Sequence, residues 1–543
     1  MWMSDLPPFI PFFIAALLVL VTRGWVRNII LLVTPVLGGL HLWLSVQPHV
    51  PMVATDALVS AKNLSFQLAM FSYQLEFMRV DKLSLLFGYL FHIASFIAII
   101  YALHVRDTTQ QVAGLLYAGS ALGAVFAGDL ITLFIFWEGL ALSSVFLIWA
   151  RRTERAISSG IRYLILQVMS GVLLLAGALI HYHQTAYPES TPTGTVFLSA
   201  FTTKVAVYAL ARGFPGTDIL IYVGAIMTCF PIFYAVIEND LRRVLAYSMI
   251  NQVGFMVCGV GIGTALALNG AVAHAFNDVI FKGLLFMTMG AVLYRVGNIN
   301  GSDLGGLYKT MPKTAILCIV GASSISAFPL FSGFVSKSMV MAAMLEEGYN
   351  YLWIMLLFAS AGVFHHAGIK IPYFAFFHHD SGIRTQEAPN NMLIAMTIAA
   401  VLCIFIGSQP QYLYALLPWH VEYWPYDVTH VLAQLQLLFF SALAFVWLNK
   451  QGLYPPELHS VNIDVEWLYR KLLPATGRIS FNILQSVNRL IAKFTLNAWQ
   501  SFQSAFQASR LSQYHLASSW PTGSMVLWIS VILGGYLLMD VYF

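Results

Sequence analysis

Apolar residues come in long unbroken runs along most of this chain, and polar residues gather in short intervals between them. The stretch DLITLFIFWEGLALSSVFLIWA, at 129–150, is typical. Runs of about 20 apolar residues can cross a hydrocarbon core as helices. Strands of a membrane barrel would alternate apolar and polar positions, and these runs do not. Backbone inside a bilayer must satisfy its own hydrogen bonds, so a continuous run means helix. The pattern predicts spans at 8–22, 26–46, 82–104, 110–128, 129–150, 160–184, 195–212, 218–237, 243–263, 268–294, 313–346, 351–377, 391–409, 429–448 and 523–543. The run at 313–346 reads as two segments, because AFPLFSGF at 327–334 places Pro329 and Gly333 inside it. A break at membrane depth needs protein or a water-filled cavity around it.

The pattern changes between 450 and 522. Charged and polar residues return in DVEWLYRKL and SVNRLIAKF, with apolar positions at helical spacing. Such a helix lies in the membrane interface, runs along a neighbouring subunit, or covers a soluble loop. The expected fold class is an all-α polytopic membrane protein of about 14–16 transmembrane helices with an amphipathic C-terminal segment. The chain divides into N-terminal helices at 1–80, a core at 81–410, a trailing helix at 411–449, the amphipathic segment at 450–522 and a last helix at 523–543.

Composition agrees. Of 543 residues, 59% are hydrophobic and 10% charged, with mean hydropathy +0.74; a soluble domain carries about 25% charged residues. The net charge of +4 reports loop placement and not a nucleic-acid partner. Counting crossings from the N-terminus puts Arg23, Arg27, Arg106, Arg151, Arg152 and Arg155 on one side, cytoplasmic by the positive-inside rule. The same count puts Arg242, Arg243, Arg295, Lys309 and Lys313 on the opposite side. One crossing more or fewer between 160 and 240 would restore the bias, and LIHYHQTAYPEST at 179–191 is where the count is suspect. The N-terminus MWMSDLPPFIPFF lacks a basic region and a small-residue cleavage site, so it reads as a retained membrane helix. Cys229, Cys258, Cys318 and Cys403 are scattered without a CxxC, and no Walker loop, GxGxxG or metal-ligand spacing is present. Neither a metal nor a cofactor is expected.

The ionisable residues inside the apolar runs are few. Each costs about 2.5–3.5 kcal/mol at a helix centre and is a functional candidate for that reason. Glu138 stands alone in its run, either as a proton carrier or as a carboxylate paired with a neighbouring helix for packing. Lys204, in VFLSAFTTKVAVYALA, lies about eight residues from Arg212, too deep for easy snorkelling. His274, Asp278 and Lys282 recur at i, i+4, i+8 and share one helix face. They suit a proton relay, or an internal Asp278–Lys282 ion pair that eases insertion. His366 and Lys370, in VFHHAGIKIPYF, are weaker candidates near a helix end.

Together VDKLSLLFG (80–88), FWEGLALSS (136–144), GIRYLILQ (160–167), SAFTTKVAVYALAR (199–212), DLRRVLAYSMINQVGF (240–255), HAFNDVIFKGLLF (274–286), DLGGLYKTMP (303–312) and SGFVSK (332–337) resemble a known family. These are the antiporter-like membrane subunits of respiratory complex I, membrane-bound hydrogenases and Mrp-type cation/proton antiporters, with the Mrp D type as the nearest. The resemblance implies two inverted repeats, each with a broken helix. It implies proton translocation by Glu138, Lys204, His274 and Lys282 in a hetero-oligomeric complex of a prokaryotic inner membrane, moving protons and monovalent cations. It also implies a lysine-bearing broken helix opposite Glu138, which this chain lacks where HYHQT joins AYPEST; Lys204 or Arg162 would substitute. In the later broken helix, PNNMLIAM (389–396) is uncharged where relatives place a charge, and His366 or Lys370 would stand in. The implied function is a sodium/proton antiporter subunit. The alternatives are a proton-pumping subunit of a quinone-reductase, hydrogenase or carbon-uptake complex, whose redox chemistry sits on partner chains, and a scaffold without transport.

Overall fold

A computed structural model describes residues 6–46, 65–70, 73–173, 192–420, 422–455, 457–458, 471–511 and 522–542. The suspect junction at 179–191 lies outside these residues. The chain forms two units, Met1–Asn462 and Ile463–Phe543. Among the described residues nine helices are long and apolar enough to cross a membrane, and Ile10–Val21, Pro312–Ile325 and Thr522–Leu537 are shorter apolar helices. The protein is an all-α polytopic membrane protein, as the runs predict.

The first unit opens with α1 (Ile10–Val21) and α2 (Gly24–His41). A hairpin that the sequence reading missed follows, β1 (Ser65–Met70) antiparallel to β2 (Tyr73–Arg79), with a bulge at Phe66/Gln67. Its period-two pattern, as in YQLEF, is visible beside the longer helical runs. Then come α3 (Lys82–Ala102), α4 (Thr108–Phe126), α5 (Leu130–Trp149) and α6 (Glu154–Leu173). The hairpin is tied to the start of α5. The Glu76 amide donates to Asp129 Oδ2 at 2.7 Å, the Gly128 amide donates to the Glu76 carbonyl at 2.9 Å, and Asp129 Oδ1 caps α5 at the Thr132 amide.

The expected span at 195–212 is interrupted at Phe201, giving α7 (Pro192–Ala200) and α8 (Thr202–Gly213). The chain continues through α9 (Asp218–Ile237), α10 (Leu241–Ile262) and α11 (Ala265–Val296). The run at 313–346 is two helices, α12 (Pro312–Ile325) and α13 (Ser332–Glu346). Their junction holds two non-glycine residues at positive φ, Ala327 at 56° and Leu330 at 73°, a conformation that costs energy unless the surroundings fix it. Gly333 does not break the helix. It sits in the first turn of α13, where a Cβ would lie 1.9 Å from the Ser324 carbonyl oxygen, so it permits close approach of the two half-helices. Helix α14 (Asn350–Val363) runs on into π-helical turns at Phe364–Lys370 and Tyr373–Phe377. The unit ends with α15 (Asn390–Ser408), the short α16 (Pro410–Tyr414) and α17 (Val428–Lys450). In the second unit, part of the expected amphipathic segment forms α18 (Leu473–Leu511), of 39 residues, while most of DVEWLYRKL lies outside the described residues. At 1.5 Å per residue α18 is about 58 Å long. Helix α19 (Thr522–Tyr542) closes the chain.

The contacts at the helix ends correct the crossing count. Arg152 pairs with Asp107 at 3.2 Å, and Arg27 donates to Thr108 at 2.9 Å. Beyond the nearby end of α3, Asn391 donates to the Ile100 and Tyr101 carbonyls, and His104 stacks edge-on to Tyr294 at 5.1 Å. Arg295 donates to the Glu387 carbonyl, and Glu387 accepts the Lys313 amide. A bridge between Asp240 and Asn300 brings in Arg242 and Arg243. The two arginine-rich sets predicted to face opposite sides therefore share one end of the unit. The miscount arises before Arg242, and the stretch it hinges on is outside the described residues.

The Gly333 contact makes a stability test. Gly333→Val places carbon atoms against the Ser324 carbonyl, and overpacking of this kind costs about 1–3 kcal/mol or more. A clear fall in the thermal-unfolding midpoint of the purified protein in detergent, with Gly213→Val unaffected as an open-space control, is the expected result.

Candidate functional site

Each helix break is followed by a buried lysine that reaches back across it. Lys204 lies in the first turn of α8, fully buried, and its Nζ donates to the Ser199 carbonyl of α7 at 3.2 Å. Lys337 lies in the second turn of α13, and its Nζ donates to the Ile325 carbonyl of α12 at 3.3 Å while standing 4.9 Å over the Phe255 ring. The last carbonyls of a helix lack intrahelical donors and carry the negative end of its dipole, so a cation fits there. Other groups freed by the breaks are met by protein. The Thr202 amide donates to the Tyr117 hydroxyl at 3.2 Å, Asn277 donates to the Ser332 carbonyl at 2.7 Å, and Gln434 donates to the Ser326 carbonyl at 3.1 Å.

Between the breaks runs α11, whose His274, Asp278 and Lys282 are all fully buried. They do not pair with one another. Lys204 Nζ donates to Asp278 Oδ2 at 2.5 Å, an ion pair with both side chains wholly inaccessible. Lys204 therefore neither snorkels nor takes the place of a partner for Glu138. Lys282 donates to the Ser248 hydroxyl of α10 at 2.8 Å, so the internal Asp278–Lys282 pair is replaced by cross-helix bonds. The His274 ring spans two helices, with Nδ1 3.0 Å from the Ser336 hydroxyl and Nε2 3.1 Å from Gln252 Oε1. An amide oxygen only accepts, so the neutral ring carries its hydrogen on Nε2 and accepts from Ser336 at Nδ1. Lys204, Asp278, Lys282 and Lys337 are all electrostatic neighbours of His274.

The series continues past α11. His366 is fully buried on the π-helical segment, with Lys282 and Lys370 among its electrostatic neighbours. Lys370 ends the series, bonded to the last carbonyls of α9 and paired with Glu457 at 2.9 Å. Glu138 stands apart on α5. It is half-buried, and its Oε1 has no hydrogen-bond partner among the described residues. Arg162 donates to Ser158 and Ser159 on its own helix.

Two residues escaped the sequence reading. Lys337 ends the SGFVSK motif, but the charge of the later broken helix was sought in PNNMLIAM. That segment opens α15, which is an unbroken helix; the break is at 326–331 and Lys337 is its charged residue. Pro329 beside a lysine eight residues on was the available signal. Glu457 lies in the loop after α17, and nothing local marks it. Of the eight candidates, the structure gathers Lys204, Asp278, His274, Lys282, His366 and Lys370 into one series and leaves Glu138 and Arg162 outside it.

A family profile described as NADH:quinone oxidoreductase/Mrp antiporter, TM matches residues 127–186 and 183–364. The D component of the Na(+)/H(+) antiporter of Alkalihalophilus pseudofirmus is 29% identical over 358 residues, covering 54% of this chain and 72% of the relative. Residues 127–364 of this chain are thus similar to an antiporter-like membrane-subunit family, a match that spans less than half of the chain. The fold agrees. A chain of the Mrp complex from Dietzia superposes with TM-score 0.71 at 20% identity, covering 98% of this chain and 62% of that one. A chain of an archaeal membrane-bound sulfane sulfur reductase superposes with TM-score 0.65 at 19% identity, covering 98% and 99%. The two segments matched to the family meet at 183–186, inside the suspect junction. The match takes in Glu138, Lys204, His274, Asp278, Lys282 and Lys337, and stops before His366.

The buried ion pair can be tested alone. Removing one partner of such a pair costs about 3–5 kcal/mol, whereas replacing both by apolar residues of similar size is often neutral. Asp278→Asn should therefore lower the yield of folded protein sharply, and Lys204→Met with Asp278→Leu should recover it, as read by size-exclusion chromatography in detergent.

Proposed function

We propose that this chain is a proton-translocating subunit of a hetero-oligomeric monovalent cation/proton antiporter of the Mrp type, in a prokaryotic cell membrane. One observation carries the reading: buried acid and base side chains follow one another from α8 through α11 to the π-helical turn, in a protein whose interior is otherwise mostly apolar. Buried ionisable groups in membrane helices are costly and are kept at proton and ion paths.

The arrangement gives each group a part. The Lys204–Asp278 pair is closed here, with Asp278 Oδ1 unpartnered among the described residues. Opening the pair leaves an amine free to release its proton towards His274, whose hydrogen bonds reach α10 and α13. Among the described residues Lys282 and Lys337 hydrogen-bond to neutral partners, a hydroxyl and a carbonyl, and neither is held in an ion pair. The two lysines bonded across their helix breaks are the points where a small movement of a half-helix changes the partners of a charge. Glu138 stands apart from this series on α5, and a neighbouring subunit of the complex would set its charge. The relative named for its place in a Na(+)/H(+) antiporter supports sodium as the exchanged cation.

Lys282→Ala is expected to lower sodium-driven proton movement in inverted vesicles by roughly 10²-fold, the scale for losing one proton-transfer group, with the complex still assembled. Glu138→Gln is expected to do the same. Full activity in both variants would leave the chain as a scaffold in its complex.

The second reading is a membrane-arm subunit of a redox complex. The end-to-end superposition on a chain of the sulfane sulfur reductase favours it. Purification of the native complex separates the two: co-isolation of an iron–sulfur or flavin protein supports the redox arm, and a set of small membrane proteins alone supports the antiporter.

A further inference from the structure

His366, Lys370 and Glu457 form a second polar cluster, and the family match ends before all three. The π-helical turn at Phe364–Lys370 puts His366 and Lys370 four residues apart, as neighbours on one face. Such turns interrupt the regular ladder and recur at functional positions. Both ring nitrogens of His366 are buried without a well-formed hydrogen bond among the described residues, the Gly362 carbonyl of its own helix being the backbone group beside the ring. An imidazole in that condition is costly for packing alone. Lys370 Nζ donates to the Val236 and Glu238 carbonyls at 2.6 and 2.7 Å, with Ala235 at 3.4 Å, and pairs with Glu457 Oε1 at 2.9 Å. The α9 carbonyls hold the ammonium in place. Glu457 is the outermost of the pair, its side chain 5% exposed against 0% for Lys370, with both carboxylate oxygens still covered. Its loop is anchored by Tyr454, which packs on His365 at 5.4 Å and on Phe445 at 5.2 Å. The Glu238 side chain and the His365 ring are the other titratable groups facing the cluster.

We propose that His366, Lys370 and Glu457 form a proton port that connects Lys282 to the arginine-rich end of the protein. The site rests on the relay reading above and adds to it an opening at one end of the series. The end is fixed by the contacts of α9 and α10: Lys370 caps α9 beside Asp240, whose bridge to Asn300 lies at the end of the unit that carries the buried Arg242 and the partly exposed Arg243 and Arg295. Positive loops face the cytoplasm, so the port opens on that side. The transfer balances one proton. Lys370 gives a proton to the Glu457 carboxylate, and the neutral amine takes one from the His366 imidazolium. Neutral Glu457, no longer held by an ion pair, turns its carboxyl outward and releases the proton to water, and His366 is recharged from Lys282. Inward movement is the reverse.

The test uses the whole complex in inverted vesicles, with a sodium pulse as the drive and a pH-sensitive dye as the readout. Glu457→Gln and His366→Asn are each expected to slow the initial proton movement by about tenfold and to flatten its dependence on bulk pH. Glu457→Asp should restore most of the rate, and the double variant should be no slower than either single one, because both act on one path. His366 holds no side-chain partner, so His366→Asn carries the test should Glu457→Gln reduce the amount of complex. Wild-type rates and pH profiles in both variants, with Lys282→Ala inactive, would overturn the port and leave the relay standing. Wild-type rates in all three would overturn both.

Discussion

The Lys204–Asp278 ion pair constrains the rest of the core. Two opposite charges with no access to solvent hold together only if every nearby helix supplies bonds to them or keeps water out. Asp278 is fixed on α11, the longest helix of the first unit, and Lys204 is brought to it by α8. Helix α10 lines the same space with Ser248, Met249 and Gln252, bonded to Lys282, Lys204 and His274 respectively. Three helices are thereby placed by the demand of one buried pair, and the polar residues of α10 are explained by their neighbours across the gap.

The two helix breaks follow the same logic. Interrupting a helix inside a membrane frees carbonyls that lipid cannot satisfy. A lysine needs partners at that depth, and a freed carbonyl needs a donor. Lys204 on Ser199 and Lys337 on Ile325 answer both needs at once. The pairing of a break with a lysine just after it repeats in both halves of the unit, although the two sequences, SAFTTK and AFPLFSGFVSK, differ in length and composition.

Much of this was legible in the sequence. The apolar runs give the helices, and the rarity of charge inside them singles out Glu138, Lys204, His274, Asp278 and Lys282, of which the last four lie close together in the fold. What the runs do not give is pairing between helices distant in sequence. Spacing at i, i+4 suggests an Asp278–Lys282 bond, yet a carboxylate and an amine four residues apart also face outward, and both find better partners on α8 and α10. Lys337 is hard to see because proline in AFPLF marks the break while the charge sits beyond it, on the other half-helix. Glu457 was hidden because it reaches Lys370 across 87 positions. The hairpin was hidden by scale, its short alternation lying between much longer helical runs.

Asp81 binds in two directions. One carboxylate oxygen accepts the Ser84 amide and caps α3, and the other accepts Arg212 at 2.6 Å at the far end of α8. The opposite end of α8 carries Lys204. Helix α8 is thus pinned like a lever, with its charged working end at the break and its fulcrum at a carboxylate that belongs to another helix. A tilt that separates Lys204 from Asp278 pivots on Arg212 and pulls on the first turn of α3. Helix α3 runs to the arginine-rich surface, where its last carbonyls hold Asn391 at the start of α15. The buried ion pair and that surface are joined by a continuous run of bonded parts, from Lys204 through Arg212 and Asp81 to the far end of α3.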